Sequence, residues 1–290
     1  MGELLRDLLP PGVLNIISGS NEIGAAMTTH PGIRKVSFTG SVATGKKIAQ
    51  AAAPDLKHVT LELGGNDPAI VLQDVEPALI AEKLFWSSFF NCGQVCIAIK
   101  RVYAHESIYP KLVEALAEQA RQVKVGDGFD PASQIGPLNN RMQFERVISL
   151  VEDAKRSGAR MVTGGGRRSG PGYFFEPTIV ADIGEGTRLV DEEQFGPALP
   201  IMPFRDLDDA LTRANATPYG LGGSIWTGDI AKGKELAAEL ECGTGWVNQH
   251  GAIDNSVPFG GAKWSGMGYE LGDLGLEAYT QQQVVRVAKG

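Results

Sequence analysis

Residues 34–65, RKVSFTGSVATGKKIAQAAAPDLKHVTLELGG, decide the fold class. RKVSFTG (34–40) is a short run with β-branched residues that ends at glycine, SVATGKKIAQAAA (41–53) is an Ala- and Lys-rich helical segment, and HVTLELGG (58–65) is a further apolar run closed by two glycines. Strand, helix and strand in this order form the unit of a parallel α/β sheet. The loop between the first strand and the helix is one residue short of a phosphate-binding signature: Gly40 to Lys46 fits G-x-x-x-x-G-K, but Lys47 stands where a Ser or Thr should follow.

Three readings of that loop compete. An ATPase loop would use the missing hydroxyl as the first protein ligand of Mg²⁺. The one strand that could serve as its acidic partner, AIVLQD ending at Asp74, follows almost immediately; both facts count against an ATPase. A plain turn would have Ser41 capping the helix and satisfying its free N–H groups. A dinucleotide site is compatible with the capped turn, because a helix N-terminus presents N–H donors and a positive dipole end to a pyrophosphate. The loop alone leaves the last two open.

The same alternation extends in both directions. Upstream, VLNIISG (13–19) reads as a strand and NEIGAAMTTH (21–30) as a helix. Downstream, PAIVLQD, IKRVYAH, FFEPTIVADI, ALPIMPF, GLGGSIWTG and GTGWVNQ read as strands, interleaved with helical segments such as PALIAEKLFWSSFF, YPKLVEALAEQARQV and MQFERVISLVEDAKRSG. The tail QQQVVRVAK reads as a lone terminal strand. The chain of 290 residues is long enough for two ordinary cores, and its composition, 43% hydrophobic and 21% charged, is that of a globular protein. A net charge of −7 with no basic stripe argues against a nucleic-acid surface. No apolar run reaches membrane-spanning length, the first residues lack the pattern of a signal peptide, and three cysteines are too few and too odd for a disulfide framework. These features point to a cytoplasmic protein without membrane or nucleic-acid partners.

Four segments carry chemistry. In LELGGNDP, Glu62 lies at the end of a buried strand, where partial desolvation raises a carboxyl toward the range of a general base; alternatively it accepts hydrogen bonds from the glycine loop. In FFNCGQVCIAI, Cys92 and Cys96 are too isolated from the four scattered histidines to form a metal site. Cys96 is either a small buried apolar residue or, given the polar Asn91, Gly93 and Gln94 before it, a thiol nucleophile presented to a cleft. DEEQFGPALPI sets three acids before a Phe-Gly-Pro turn, and VPFGGAKWSGMGYELG is too glycine-dense for plain helix or strand.

Taken together, Leu-Glu-Leu-Gly-Gly at 61–65, Asn-x-Gly-Gln-x-Cys at 91–96, Glu-x-Phe-Gly-Pro at 193–197, the Pro-Phe-Gly-Gly-x-Lys-x-Ser-Gly pattern from 258 to 272 and Phe-Thr-Gly-Ser-x-x-x-Gly at 38–45 resemble the NAD(P)-dependent aldehyde dehydrogenase superfamily. The resemblance implies an aldehyde dehydrogenase-like α/β fold: a truncated Rossmann-type cofactor domain over 1–63, a catalytic parallel α/β domain over 64–265, and a tail over 266–290 with an oligomerisation strand near 282–288. It implies Cys96 as the nucleophile and Glu62 as the base that activates water. Glu193 would hold the nicotinamide ribose with Phe195 beside it, and Gly40, Ser41, Gly45 and Leu63 would complete the contacts to NAD or NADP. In this family the motif block follows a long N-terminal region that includes the first cofactor-domain strands and an oxyanion-hole Asn, so the expectation is a truncated enzyme with impaired aldehyde oxidation. Two alternatives stand beside it: a cofactor-independent thiol esterase using Cys96 and Glu62, and a folded remnant without catalysis. The expected partners are a small aldehyde or ester and at least one further copy of the chain.

Overall fold

The computed structural model describes residues 2–289. Along the chain run α1 (Gly2–Leu5), α2 (Asn21–Thr29), β1 (Lys35–Thr39), α3 (Val42–Ala52), β2 (His58–Glu62), β3 (Asp67–Val71), α4 (Pro77–Phe89), β4 (Ile99–His105), α5 (Tyr109–Gln122) and α6 (Arg141–Arg156). Then come β5 (Arg160–Thr163), β6 (Thr178–Ala181), α7 (Arg188–Asp191), β7 (Ala198–Phe204), α8 (Leu207–Asn215), β8 (Tyr219–Gly220), β9 (Gly222–Trp226), α9 (Ile230–Ala238), β10 (Thr244–Val247), β11 (Ala262–Lys263), β12 (Gly266–Met267) and α10 (Gly272–Glu277).

Two sheets organise these elements. The larger has seven strands in the order β10-β9-β3-β4-β7-β6-β5, parallel throughout except for β5, which runs antiparallel to β6 at the edge. Its inner strands are mostly apolar on both faces because helices cover both, Asp67 of β3 and Lys100 and Arg101 of β4 being buried exceptions, and β3 and β9 are buried at every residue. On one side Leu84, Phe85 and Phe89 of α4, Leu112 and Leu116 of α5, and Val147, Leu150 and Val151 of α6 join the main core. On the other side Ala210, Leu211 and Ala214 of α8 and Leu236 of α9 pack on Ile70, Met202 and Ile225.

The smaller sheet, β1-β2-β12, places β2 between a parallel and an antiparallel neighbour. Its core is slight: Ile48, Leu61 and Leu63 are buried, with Val36, Phe38, Val42, Ala49 and Val59 packed around them. β12 comes from the glycine-dense segment near the C-terminus and pairs Gly266 with Glu62 and Met267 with Leu61. It thereby closes the edge of β2 beside the candidate base.

Two sequence expectations need correction or completion. Residues 13–19 form no strand, and Val13, Leu14, Ile16 and Ile17 are exposed; a β-branched run becomes a strand only where a neighbouring edge pairs with it, and none does so here. β5, a four-residue edge strand, gave no signal in the reading of the sequence, being too short to show a period. The expected tail strand, 282–288, makes no ladder within the described chain, and Val284, Val285 and Val287 are exposed.

A Cβ added at Gly266 would fall inside van der Waals contact of the Leu61 carbonyl oxygen, which is backbone and cannot swing away. Gly266→Ala should therefore loosen β12 from β2 and destabilise the small sheet by about 1–3 kcal/mol, read as a lowered urea midpoint.

Candidate active site

The chain leaves β1 at Thr39, turns at Gly40 and enters α3, where the Ser41 side chain accepts the Thr44 N–H at 3.3 Å. The capped turn expected from the sequence is present, and Thr39, Gly40, Ser41, Val42, Ala43 and Lys46 form one wall of a cleft. The cleft encloses about 910 Å³, and Gln94, Val95, Cys96, Gln143, Arg146, Glu193, Phe195 and Tyr219 line it from the large-sheet side. Leu63 and Gly64 floor it where the chain passes from one sheet to the other. Gly45 lies behind this wall, where a Cβ would come within 2.5 Å of Leu63 Cδ2; its lack of a side chain lets α3 close onto Leu63.

The loop that carries Cys96 is bent by three consecutive left-handed residues after α4: Asn91 at φ 52°, Cys92 at φ 59° and Gly93 at φ 69°. Such a conformation costs a non-glycine residue on the order of 1–3 kcal/mol, and here it reverses the chain so that Gln94, Val95 and Cys96 face the cleft. Gly93 is required sterically as well, since a Cβ would stand 2.5 Å from the Gly196 carbonyl oxygen. Cys92 points inward and is buried, with its thiol pushed up to about 12 by desolvation. Cys242 is likewise pushed up to about 12. At Cys242 Asp67 adds to burial while the Thr244 backbone and Lys263 oppose it, and what sets Cys96 apart is that it lines the cleft. Burial raises its pKa too, but the Lys100 ammonium and the Ile97 backbone N–H oppose that shift while Asp67 and Glu193 add to it.

Glu193 is held on several sides. Its Oε1 accepts the Gly65 N–H at 3.0 Å and lies 3.6 Å from Lys100 Nζ. Its backbone carbonyl accepts from Arg146 Nη2 at 2.9 Å. The neighbouring carbonyls of Gln194 and Phe195 accept from Gln143 Nε2 at 2.7 and 2.9 Å. Helix α6, started by Asn140, whose Oδ1 accepts the Gln143 N–H at 2.9 Å, thus fixes the whole 193–195 turn. Phe195 sits at φ 45°, the strain falling where that turn is gripped. Burial raises the Glu193 pKa, against the pull of Lys100 and the Gly65 N–H.

Glu62 ends β2 and is buried, and both of its carboxylate oxygens lack a hydrogen-bond partner. Desolvation, with the like charge of Glu270 behind it, lifts its pKa from 4.5 to about 8. Glu270 is itself held by Ser37 Oγ at 3.1 Å. A carboxyl of this kind can take a proton from water near neutral pH.

Of the residues expected from the sequence, Gly40, Ser41, Leu63, Cys96, Glu193 and Phe195 line one cleft. Glu62 stands one residue before Leu63, and Gly45 lies behind the wall. The sequence reading missed Lys100, Gln143, Arg146 and Glu270. A lysine inside the apolar run IAIKRVYAH is a signal that could have found the first. Among the described residues no cluster of His, Cys, Asp or Glu could hold a metal ion, and no helix is long and apolar enough to cross a membrane.

The cleft suits a dinucleotide on three counts: the capped N-terminus of α3 offers N–H donors to phosphates, Gly64 leaves the floor open beside the Glu193 carboxylate, and the volume is that of a large ligand. Residues 1–285 match the model of the aldehyde dehydrogenase family, and the chain belongs to that family. It is 40% identical over 293 residues to retinaldehyde dehydrogenase 3 of Homo sapiens, covering 100% of this chain and 57% of that protein. It is also 40% identical over 286 residues to betaine aldehyde dehydrogenase of Brucella anthropi, covering 97% and 59%. The NAD⁺ complex of an aldehyde dehydrogenase from Bacillus cereus superposes with a TM-score of 0.93 at 40% identity, over 96% of this chain and 57% of that one. A betaine aldehyde dehydrogenase from Staphylococcus aureus with NAD⁺ gives 0.91 at 34% identity, over 99% and 61%. The chain thus spans somewhat more than half the length of these relatives.

Between pH 4.5 and about 8 the folded state binds more protons at Glu62 than the unfolded chain does, so stability falls as pH rises through that window. Glu62→Gln, which cannot ionise, should flatten the decline, and thermal unfolding followed from about pH 5 to pH 8.5 reads the difference.

Proposed function

We infer that the chain carries the reaction centre of an NAD(P)-dependent aldehyde dehydrogenase, oxidising an aldehyde to a carboxylic acid through a thioester on Cys96. The observation that carries this reading is the convergence of Cys96, Glu193, Phe195 and the N-terminus of α3 on a single cleft of about 910 Å³.

In this mechanism the Cys96 thiolate attacks the carbonyl carbon, an S–C bond forms and the carbonyl oxygen takes the negative charge. Lys100 and the Ile97 N–H favour the thiolate that begins the step. NAD or NADP, when bound, would supply the hydride acceptor for bringing the Cys96 adduct to the oxidation level of a thioester. Glu193, fixed by Gly65, Lys100 and Arg146, would hold a ribose hydroxyl pair, and the Phe195 ring beside it would give an apolar surface. The capping turn at Gly40 and Ser41 would offer its N–H donors to the phosphates. Glu62 then takes a proton from water, the water oxygen attacks the thioester carbon, the C–S bond breaks and the acid departs.

The same two groups can hydrolyse an activated ester without any cofactor. A partly exposed thiol and a carboxyl with its pKa near 8 both lie in this chain, which favours ester cleavage as a second activity. The exposed valines of 282–288 further support self-association through that segment; a monomer by light scattering overturns that part of the reading.

Cys96→Ala should abolish both aldehyde oxidation and p-nitrophenyl ester cleavage. Glu62→Gln should retain the first-turnover burst of p-nitrophenol and lower the steady-state rate by about 10²–10⁴. In the unmutated chain that steady-state rate should climb with pH toward a midpoint of about 8, as Glu62 ionises. Full steady-state turnover by Cys96→Ala sinks the assignment.

A further inference from the structure

Lys100 is buried, 1% exposed, on the strand that follows the nucleophile loop. An ammonium has three donors and no acceptor, and burying it unpaired costs several kcal/mol. Here its donors are used on the loop itself: Nζ lies 2.7 Å from the Cys96 carbonyl oxygen, 2.9 Å from that of Val95 and 3.5 Å from that of Ala98. On its remaining side stands Glu193 Oε1 at 3.6 Å. One buried cation therefore touches the backbone of the thiol-bearing residue and the carboxylate across the cleft from it.

We propose that Lys100 is a positioning residue that ties the Cys96 loop to Glu193 and holds a fixed positive charge behind the nucleophile. The proposal rests on the reading of Cys96 as the nucleophile. Three carbonyl dipoles converge on one ammonium, so the backbone at 95–98 cannot rotate without leaving that charge unpaired. The same charge faces the thiolate and offsets the two carboxylates near it, Glu193 and Asp67. Asp67 is fully buried, and its second neighbour is His250, with Nε2 3.5 Å from Asp67 Oδ2 and 2.7 Å from the Ile97 carbonyl oxygen. His250 Nδ1 lies 2.9 Å from Ser224 Oγ, and that hydroxyl accepts from Trp226 Nε1. Arg146 and Tyr219 flank Glu193 from α6 and β8. Among these groups Lys100 is the cation that bonds the nucleophile's own carbonyl.

The test follows alkylation of Cys96 by iodoacetamide against pH, with the modified peptide identified by mass spectrometry. In that reaction the thiolate forms an S–C bond and iodide leaves, so the rate reports the thiolate fraction with no cofactor or substrate present. Lys100→Met should raise the alkylation midpoint by about one pH unit and slow the reaction at pH 7 about tenfold. Asp67→Asn and Glu193→Gln should each lower the midpoint, because each removes a carboxylate facing the sulfur. Opposite movement on opposite changes of charge is a pattern that a merely structural role does not produce. Should Lys100→Met not fold, the charge-balanced Lys100→Met/Glu193→Gln is compared with Glu193→Gln alone, and the midpoint of the double variant should be the higher. An unchanged midpoint in Lys100→Met, or identical midpoints in that second comparison, overturns the proposal. Either result leaves the Cys96→Ala assay of the nucleophile unaffected, so a failure of this inference is distinguishable from a failure of the underlying mechanism.

Discussion

Between Glu62 and Asp67 the chain crosses from the small sheet to the large one, and along part of that crossing only backbone fits. A Cβ at Gly64 would run into the Glu193 carboxylate, and one at Gly65 would stand 2.6 Å from both the Cys96 carbonyl oxygen and Asp67 Oδ1. The rest of the site depends on this lack of side chains. Because the crossing is thin, the Gly65 N–H reaches Glu193, the Cys96 loop lies against it, and Glu62 ends β2 a few residues away. Ser265 pins the crossing from behind: its carbonyl accepts the Leu63 N–H at 2.8 Å, its Oγ donates to the Gly64 carbonyl at 2.7 Å, and that same Oγ accepts the Gly220 N–H at 2.9 Å. The glycine-dense segment near the C-terminus is thus the fastener of a junction formed some two hundred residues earlier.

Charge is distributed around this junction with unequal neutralisation. Glu193 has a cation and an amide; Glu62 has neither and faces another carboxylate, Glu270. Two acids on either side of one junction are therefore held differently by their surroundings, which in the proposed mechanism suits Glu193 to binding and Glu62 to accepting a proton. The three cysteines also differ in their surroundings. Burial alone acts on Cys92, whereas Cys242 and Cys96 each have a lysine working against burial, Lys263 and Lys100, and of these two Cys96 lines the cleft.

What the sequence made legible was what depends on neighbours along the chain. The strand–helix–strand unit at 34–65, the capping role of Ser41 and the apolar continuity of β3, β4 and β9 all follow from local pattern. Glu62, Cys96, Glu193 and Phe195 stood out because short motifs surround them. Lys100 escaped because its partners are carbonyl oxygens, which every residue carries and no letter records. Gln143 and Arg146 escaped for a related reason, as they bind the backbone of a turn some fifty residues away. Gly45 looked like part of a phosphate loop, yet its place is against Leu63, a packing demand that appears only once α3 lies on β2. The run at 13–19 shows the reverse error: its pattern is that of a strand, but pairing is a property of two segments.

The two walls of the cleft differ in how firmly they are built. The large sheet is buried between two extensive apolar layers, while the small sheet encloses only Ile48, Leu61 and Leu63. Local opening has a free energy set by such contacts, so the backbone amides of β1, β2 and α3 should exchange with solvent well before those of β3, β4 and β9. A ligand that spans both walls then does more than occupy a volume. It adds its own binding free energy to the weaker wall, by RT ln(1 + [L]/Kd), and joins two regions that otherwise open separately into one cooperative body. Exchange protection in the small sheet becomes a gauge of occupancy, readable without any turnover at all.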